Sequence, residues 1–254
     1  MDGRSERVTF TGSQGDTLAA LLDLPAGEPR ASALFAHCFT CSKDVFAAAR
    51  ISRGLTARDI AVLRFDFTGL GSSGGEFANT TFSSNVADLV AAAAHLRGVL
   101  AEPALLVGHS LGGAAVLAAA AAVPAARAVC TIGAPSEPAH VERLLVGARD
   151  EIVRAGEADV ILGGRTFRIR REFLEDIEST RLARAIAGLG RALLVFHSPV
   201  DDIVGIDNAA AIYAAARHPK SFVSLDDADH LLARREDAAY VADVISAWVT
   251  RYLA

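Results

Sequence analysis

The run ALLVGHSLGG at residues 104–113 constrains this chain more than any other stretch. A short apolar segment feeds straight into Gly108-His109-Ser110-Leu111-Gly112, and an alanine-rich, helix-forming run leaves it. The spacing G-x-S-x-G carries meaning only between a strand and a helix, and here both flanks supply that context. A serine on such a turn projects its hydroxyl above the sheet. The flanking backbone then passes so closely that positions 108 and 112 must lack side chains. The helix that starts there adds partial positive charge beside the hydroxyl. Ser110 is therefore the candidate nucleophile, weighed against a glycine-rich turn that carries an idle serine.

The rest of the chain supplies a fold for this turn. Bursts rich in β-branched and apolar residues alternate with longer helical stretches, the pattern of a mostly parallel sheet with helices on both faces. Strands are predicted at Arg7–Phe10, Thr17–Leu24, Ala31–Ala36, Ala61–Phe65, Ala104–Val107, Ala128–Ile132, Ala192–His197 and Ser221–Leu225. The first two form an antiparallel opening pair. Helices are predicted at Asp44–Asp59 with Asp44 as cap, Phe82–Leu100 capped by Ser83 or Ser84, Ser110–Ala122, Ile206–Arg217 and Asp237–Leu253. With 254 residues, one domain over the whole chain can bury roughly three quarters of its unfolded surface.

Residues 136–190 break the rhythm. Pro138–Ala155 reads as helical, Gly163-Gly164 between two β-prone runs reads as a hairpin, and Arg171–Thr180 as another helix. In the hairpin Phe167 and Ile169 should share one face, Arg168 and Arg170 the other. The segment reads as a lid inserted after a core strand; the alternative is a surface excursion with no part in substrate choice.

A net charge of −5 gives no basic face for nucleic acid. The polar start and the short, interrupted apolar stretch from Leu111 to Ala126 give neither a secretory signal nor a membrane span. Three cysteines, an odd number, fit a reducing compartment. A soluble, cytoplasmic protein without membrane or nucleic-acid partners is expected, with its oligomeric state left open.

A serine hydroxyl needs a base. In a sheet that carries such an elbow, the acid and then the histidine follow the serine along the chain. His230, in DDADH after the last predicted strand, is the candidate base, whereas His218 precedes that strand beside Pro219. The acid belongs after LLVFHS, where Asp201 and Asp202 both qualify. The negative oxygen formed on attack needs preset N–H donors. Leu111 follows the nucleophile, and Phe39 lies in the loop LFAHCFTCSKD after the third strand. Cys38 and Cys41 in that loop form C-x-x-C, which can be a redox pair. Half a zinc site is a poorer reading, because no second such pair exists. Two small residues packing the loop is the simplest reading. DFTGLGSS at 66–73 lacks the ending of a phosphate loop and reads as a structural turn, and His109 as packing for the elbow.

Taken together, HCFTCSKD, RFDFTGLGSSGGEF, GHSLGG, HSPVDDIV and DADH resemble the α/β-hydrolase superfamily across nearly the whole chain. The resemblance implies an eight-stranded, mostly parallel sheet with a small lid. It also matches His197–Val204 to the family's H-G-x-x-D-x-x-V, which selects Asp201 as the acid, with Ser198 in the usual glycine's place. Cys38 likewise replaces the glycine of the common H-G oxyanion loop. HCFTCSKD and RFDFTGLG are similar to a subgroup found fused to osmotically inducible, peroxidase-type domains, which implies the hydrolase part standing alone here. That subgroup is similar to lidded cinnamoyl and feruloyl esterases. The implied activity is hydrolysis of a small-molecule carboxylic ester through an acyl-enzyme, with no metal or organic cofactor. The alternatives are a peptidase or amidase with the same triad, a thiol redox protein using Cys38 and Cys41, and a catalytically silent scaffold.

Overall fold

A computed structural model describes residues 3–253. Its centre is an eight-stranded sheet in the order β1-β2-β4-β3-β5-β6-β9-β10. The strands are β1 (Arg4–Thr11), β2 (Thr17–Leu24), β3 (Ala31–Ala36), β4 (Ile60–Phe65), β5 (Leu105–His109), β6 (Ala128–Ile132), β9 (Ala192–His197) and β10 (Lys220–Ser224). The pairs β1–β2 and β2–β4 are antiparallel, and every pair from β4 to β10 is parallel. This is the α/β-hydrolase fold, and it matches the expected eight strands.

Alternation along each central strand explains why both faces are covered. In β3, Ala33 and Phe35 join one apolar cluster while Leu34 and Ala36 join the other; in β9, Leu194 and Phe196 oppose Leu193 and Val195. Helices α1 (Phe46–Thr56) and α8 (Arg235–Leu253) bury Ile51, Leu55, Val241 and Ile245 on the first face. Helices α2 (Phe82–Val99), α3 (Leu111–Ala119) and α7 (Asp207–Ala215) bury Leu89, Leu96, Val116 and Ile212 on the second. With both faces dry, the strands read as continuous apolar runs, as a buried parallel sheet requires.

Two helix starts differ from expectation. α1 begins at Phe46, and Asp44 does not cap it. That carboxylate is instead drawn to the Lys43 ammonium, 3.2 Å away, and faces the Arg64 guanidinium at 3.6 Å. α2 is capped by Thr81, whose side chain accepts from the Ser84 N–H at 3.1 Å while the Ser84 hydroxyl accepts from the Thr81 N–H at 2.8 Å. Ser84 therefore takes the third helical position of a reciprocal box, one turn further on than a cap.

The segment between β6 and β9 contains a 3₁₀ turn (Pro138–Leu144), α4 (Arg149–Ala155), β7 (Glu157–Leu162), β8 (Arg165–Arg170), α5 (Arg171–Ser179) and α6 (Leu182–Ala187). The helix expected over Pro138–Ala155 is split, with Gly147 in the break. β7 and β8 pair as an antiparallel hairpin apart from the main sheet, and Gly163 and Gly164 both take positive φ at its tip. Only glycine accepts two such residues in a row without cost, and this turn matches the strand twist. Phe167 and Ile169 face inward, while Arg168 and Arg170 pair with Asp159 and Glu157 on the outside.

The Thr81 cap gives a direct test. Thr81→Ala should cost about 1 kcal/mol and lower the melting temperature by roughly 2–4 °C, read by scanning calorimetry. An unchanged midpoint would remove the box from the account of how α2 starts.

Candidate active site

The parallel strands carry their carboxyl ends to one edge, where crevices form in such sheets. β5 ends at His109, and Ser110 follows with φ 54° and ψ −127°, an unfavourable conformation for a residue with a Cβ. Two backbone hydrogen bonds hold it: the Ser110 N–H donates to the Ile132 carbonyl and the Gly113 N–H to the Ser110 carbonyl, both at 2.8 Å. A Cβ on residue 108 would lie 2.3 Å from the Gly112 carbonyl oxygen. One on residue 112 would lie 2.4 Å from the His37 carbonyl oxygen. The two glycines thus let the elbow close and let α3 abut the loop after β3.

His230 sits in the loop between β10 and α8. Its Nε2 lies 3.0 Å from the Ser110 Oγ and its Nδ1 lies 2.7 Å from Asp201 Oδ2. A carboxylate only accepts, so Nδ1 carries the proton and Nε2 faces the serine hydroxyl as acceptor. The other oxygen of Asp201 accepts from the Ile203 and Val204 N–H groups at 2.9 and 2.8 Å. Burial works against ionisation of this carboxyl. The hydrogen bonds from His230 and the Val204 and Ile203 amides outweigh it and hold the group below the usual carboxylate value. Asp202, the other sequence candidate, is exposed.

Three further residues frame this chain. His109 donates from Nε2 to the His230 carbonyl at 2.7 Å, fastening the loop that carries the imidazole to the elbow. Burial first, and then the nearby His230 ring, push His109 down to about 4, so it stays neutral at pH 7. His197 donates to the Val204 carbonyl at 2.7 Å and steadies the turn that presents Asp201. Gly133, just after β6, escaped the sequence reading. It has φ 53°, and a Cβ there would stand 3.2 Å from Asp201 Oδ2 and 3.4 Å from His230 Nδ1. A glycine directly after a core strand in TIGAPS was the available signal.

Leu111 is the first residue of α3, so its N–H has no intrahelical acceptor. Phe39 lies in the loop after β3. Among the described residues neither N–H donates to a backbone carbonyl. His37 is buried and donates from Nδ1 to the Cys38 carbonyl at 2.8 Å; burial lowers its proton affinity, leaving it neutral. The loop's far end is tied down by Lys43, whose N–H and ammonium both bond Asp66, at 2.6 and 2.7 Å. Asp66 also accepts from the Ser72 N–H at 2.8 Å, so DFTGLGSS is a structural turn. A small hollow beside Phe39 and Leu111 is walled by Phe67, Leu70 and Phe82, and by Asn85, whose buried Oδ1 lacks a partner among the described residues.

The cysteines differ from expectation. Cys38 and Cys41 form a disulfide instead of packing as separate small residues, and only Cys130 is free. The turn brings their Cα atoms to 5.4 Å, inside bonding range. The Phe39 ring meets Phe77 at 5.7 Å and Phe173 of α5 at 5.4 Å, and Phe77 meets Phe167 of β8 at 4.9 Å. The 136–190 segment therefore packs directly on the loop after β3. Among the described residues no group of three or more His, Cys, Asp or Glu side chains is placed to hold a metal ion, and no helix is long and apolar enough to cross a membrane.

A serine on a strand-to-helix turn, facing an imidazole backed by a carboxylate above such a sheet, is the arrangement of an α/β hydrolase. The chain belongs to the alpha/beta hydrolase family, whose sequence profile matches residues 33–244. Its structure is similar to the esterase domain of a Rhodothermus marinus protein, with 53% identity, TM-score 0.82, and 99% of this chain and 100% of that one covered. It is also similar in fold to Est1E from Butyrivibrio proteoclasticus bound to ferulic acid, at 18% identity, TM-score 0.81, and 97% and 99% coverage. Among curated proteins it is similar to the uncharacterized protein YfhR of Salmonella typhimurium, with 23% identity over 230 residues, 89% of this chain and 75% of that protein.

The buried histidines predict an acid response. In the folded protein His109 takes its proton only near pH 4, but in the unfolded chain near 6.5. The unfolded state therefore binds more protons between these values, and the stability is complete above pH 6.5 and lost as pH falls toward 4. His37 and His197 shift the same way. The melting temperature should fall across this window, and His109→Phe should flatten the slope by several degrees. A variant with the parent's full slope would mean His109 titrates normally.

Proposed function

We propose that this hydrolase cleaves carboxylic esters, with Ser110 as nucleophile, His230 as general base and acid, and Asp201 as the group that orients the imidazole. The observation that carries the reading is the unbroken Asp201–His230–Ser110 chain at 2.7 and 3.0 Å on a strained elbow. His230 takes the Ser110 proton as the oxygen attacks the ester carbonyl, and passes it to the departing alcohol. The Phe39 and Leu111 N–H groups receive the oxyanion. Water then attacks the acyl-enzyme with His230 again as base. Asp201 stays ionised throughout and stabilises the imidazolium. The 53% identity to a Rhodothermus esterase domain over essentially the full length supports an ester as substrate. We assign the 136–190 segment a lid role, because its Phe173 stacks on Phe39. Asp176 in α5 anchors it by accepting from the Ser83 N–H and hydroxyl at 2.8 and 2.6 Å.

A panel of p-nitrophenyl esters and hydroxycinnamate methyl esters tests this reading. Ser110→Ala should lose about 10⁴-fold or more in kcat, and Asp201→Asn about 10⁴-fold. Asp202→Asn should stay within about threefold, since that side chain faces solvent. A Ser110→Ala variant as active as the parent would sink the assignment.

A further inference from the structure

The disulfide spans the residue on which the oxyanion reading depends. Cys38 and Cys41 flank Phe39 and Thr40, and a hydrogen bond from the Cys41 N–H to the Cys38 carbonyl at 3.2 Å closes the same turn. Inside it Thr40 holds φ 63°, a left-handed conformation that a β-branched residue avoids unless its surroundings impose it. Thr40 is the third residue of this turn, which the hydrogen bond and the disulfide both close. Cys38 is almost fully buried, whereas Cys41 is partly exposed, so Cys41 is the side of the bond nearer to solvent and to an incoming thiolate. The third cysteine does not interfere: Cys130 is wholly buried in β6, and burial holds its thiol well above the usual range.

From this geometry we propose that the Cys38–Cys41 bond is a reversible redox site that sets the oxyanion hole, taking small dithiols as its reductant. The inference rests on the reading of Phe39 as an oxyanion donor. A thiolate of the dithiol attacks Cys41 Sγ, the S–S bond breaks, and Cys38 leaves as a thiolate that takes up a proton. The second thiol of the reductant attacks the mixed disulfide and releases Cys41, which is protonated in turn. The cysteine pair gains two electrons and two protons, and the dithiol becomes its own cyclic disulfide. Freed from the ring, the turn from Cys38 to Cys41 loosens, and the Cys38–Phe39 peptide that carries the Phe39 N–H loses its fixed aim at the oxyanion position. The carbonyl oxygen then loses one preset donor during attack while the substrate's other contacts persist. The effect should fall on kcat more than on KM.

The test uses the whole, oxidised protein and a p-nitrophenyl ester, before and after dithiothreitol, with thiols counted after unfolding. The count should rise from one to three. With it kcat should fall by tenfold to a hundredfold and KM should change less than threefold. Far-UV circular dichroism should be unchanged, and reoxidation by oxidised glutathione should restore the rate. The Cys38→Ser, Cys41→Ser double variant should match the reduced protein and ignore dithiothreitol. Unchanged or increased kcat with three thiols counted overturns the inference and leaves the triad standing. So does a bond that dithiothreitol does not open in the native protein. An oxidised protein without Ser110-dependent turnover overturns the inference together with the ester reading beneath it.

Discussion

The hydrogen bond from the Ser110 hydroxyl to His230 Nε2 is the contact on which the site depends, and it joins residues 120 positions apart. Neither partner can form it alone. Ser110 must be held at positive φ, which needs the glycines on both sides and the backbone bonds from β6 and α3. His230 must be turned by Asp201, and its loop fastened by His109. These supports gather from the ends of β5, β6 and β9 and the start of α3, so the sheet's register is what brings the proposed nucleophile and base into range. The same logic explains the burial of polar groups here. Four histidines and Asp201 are removed from water at one edge of the sheet; each keeps at least one hydrogen bond there, while the second ring nitrogens of His37, His109 and His197 have no partner among the described residues.

The loop after β3 is the second convergence. Lys43 and Asp66 anchor one end, the Cys38–Cys41 bond tightens the middle, and Phe173 of α5 and Phe77, itself backed by Phe167 of β8, meet the Phe39 ring. The proposed oxyanion donor is thus shaped both by the core fold and by the segment between β6 and β9. This couples the proposed lid to the chemistry through packing: a change in how Phe173 sits on Phe39 reaches the N–H beside it without touching the triad.

Much of this was legible along the chain because the forces involved are local. The elbow, the apolar runs of β3 and β9, and the Gly163-Gly164 turn each depend on residues within a few positions. The expectations that failed concern competition between groups. Asp44 has the right chemistry for a cap, but two cations draw it elsewhere. Ser84 was a candidate cap, but Thr81 occupies that place and makes Ser84 its partner. Gly133 looked ordinary until Asp201 and His230 came within contact of its missing side chain.

The sequence by itself determined the kind of sheet, the turn that must carry Ser110, and the order in which a base and an acid follow it. These are properties of backbone sterics and of strand and helix periodicity, which act over short spans. Only the tertiary structure set Asp201 against the His230 ring with Asp202 in solvent, paired the two cysteines, and gave His109 the His230 carbonyl. Those outcomes turn on distances of a few ångströms between side chains far apart in sequence, and such distances exist only once the strands have taken their places in the sheet.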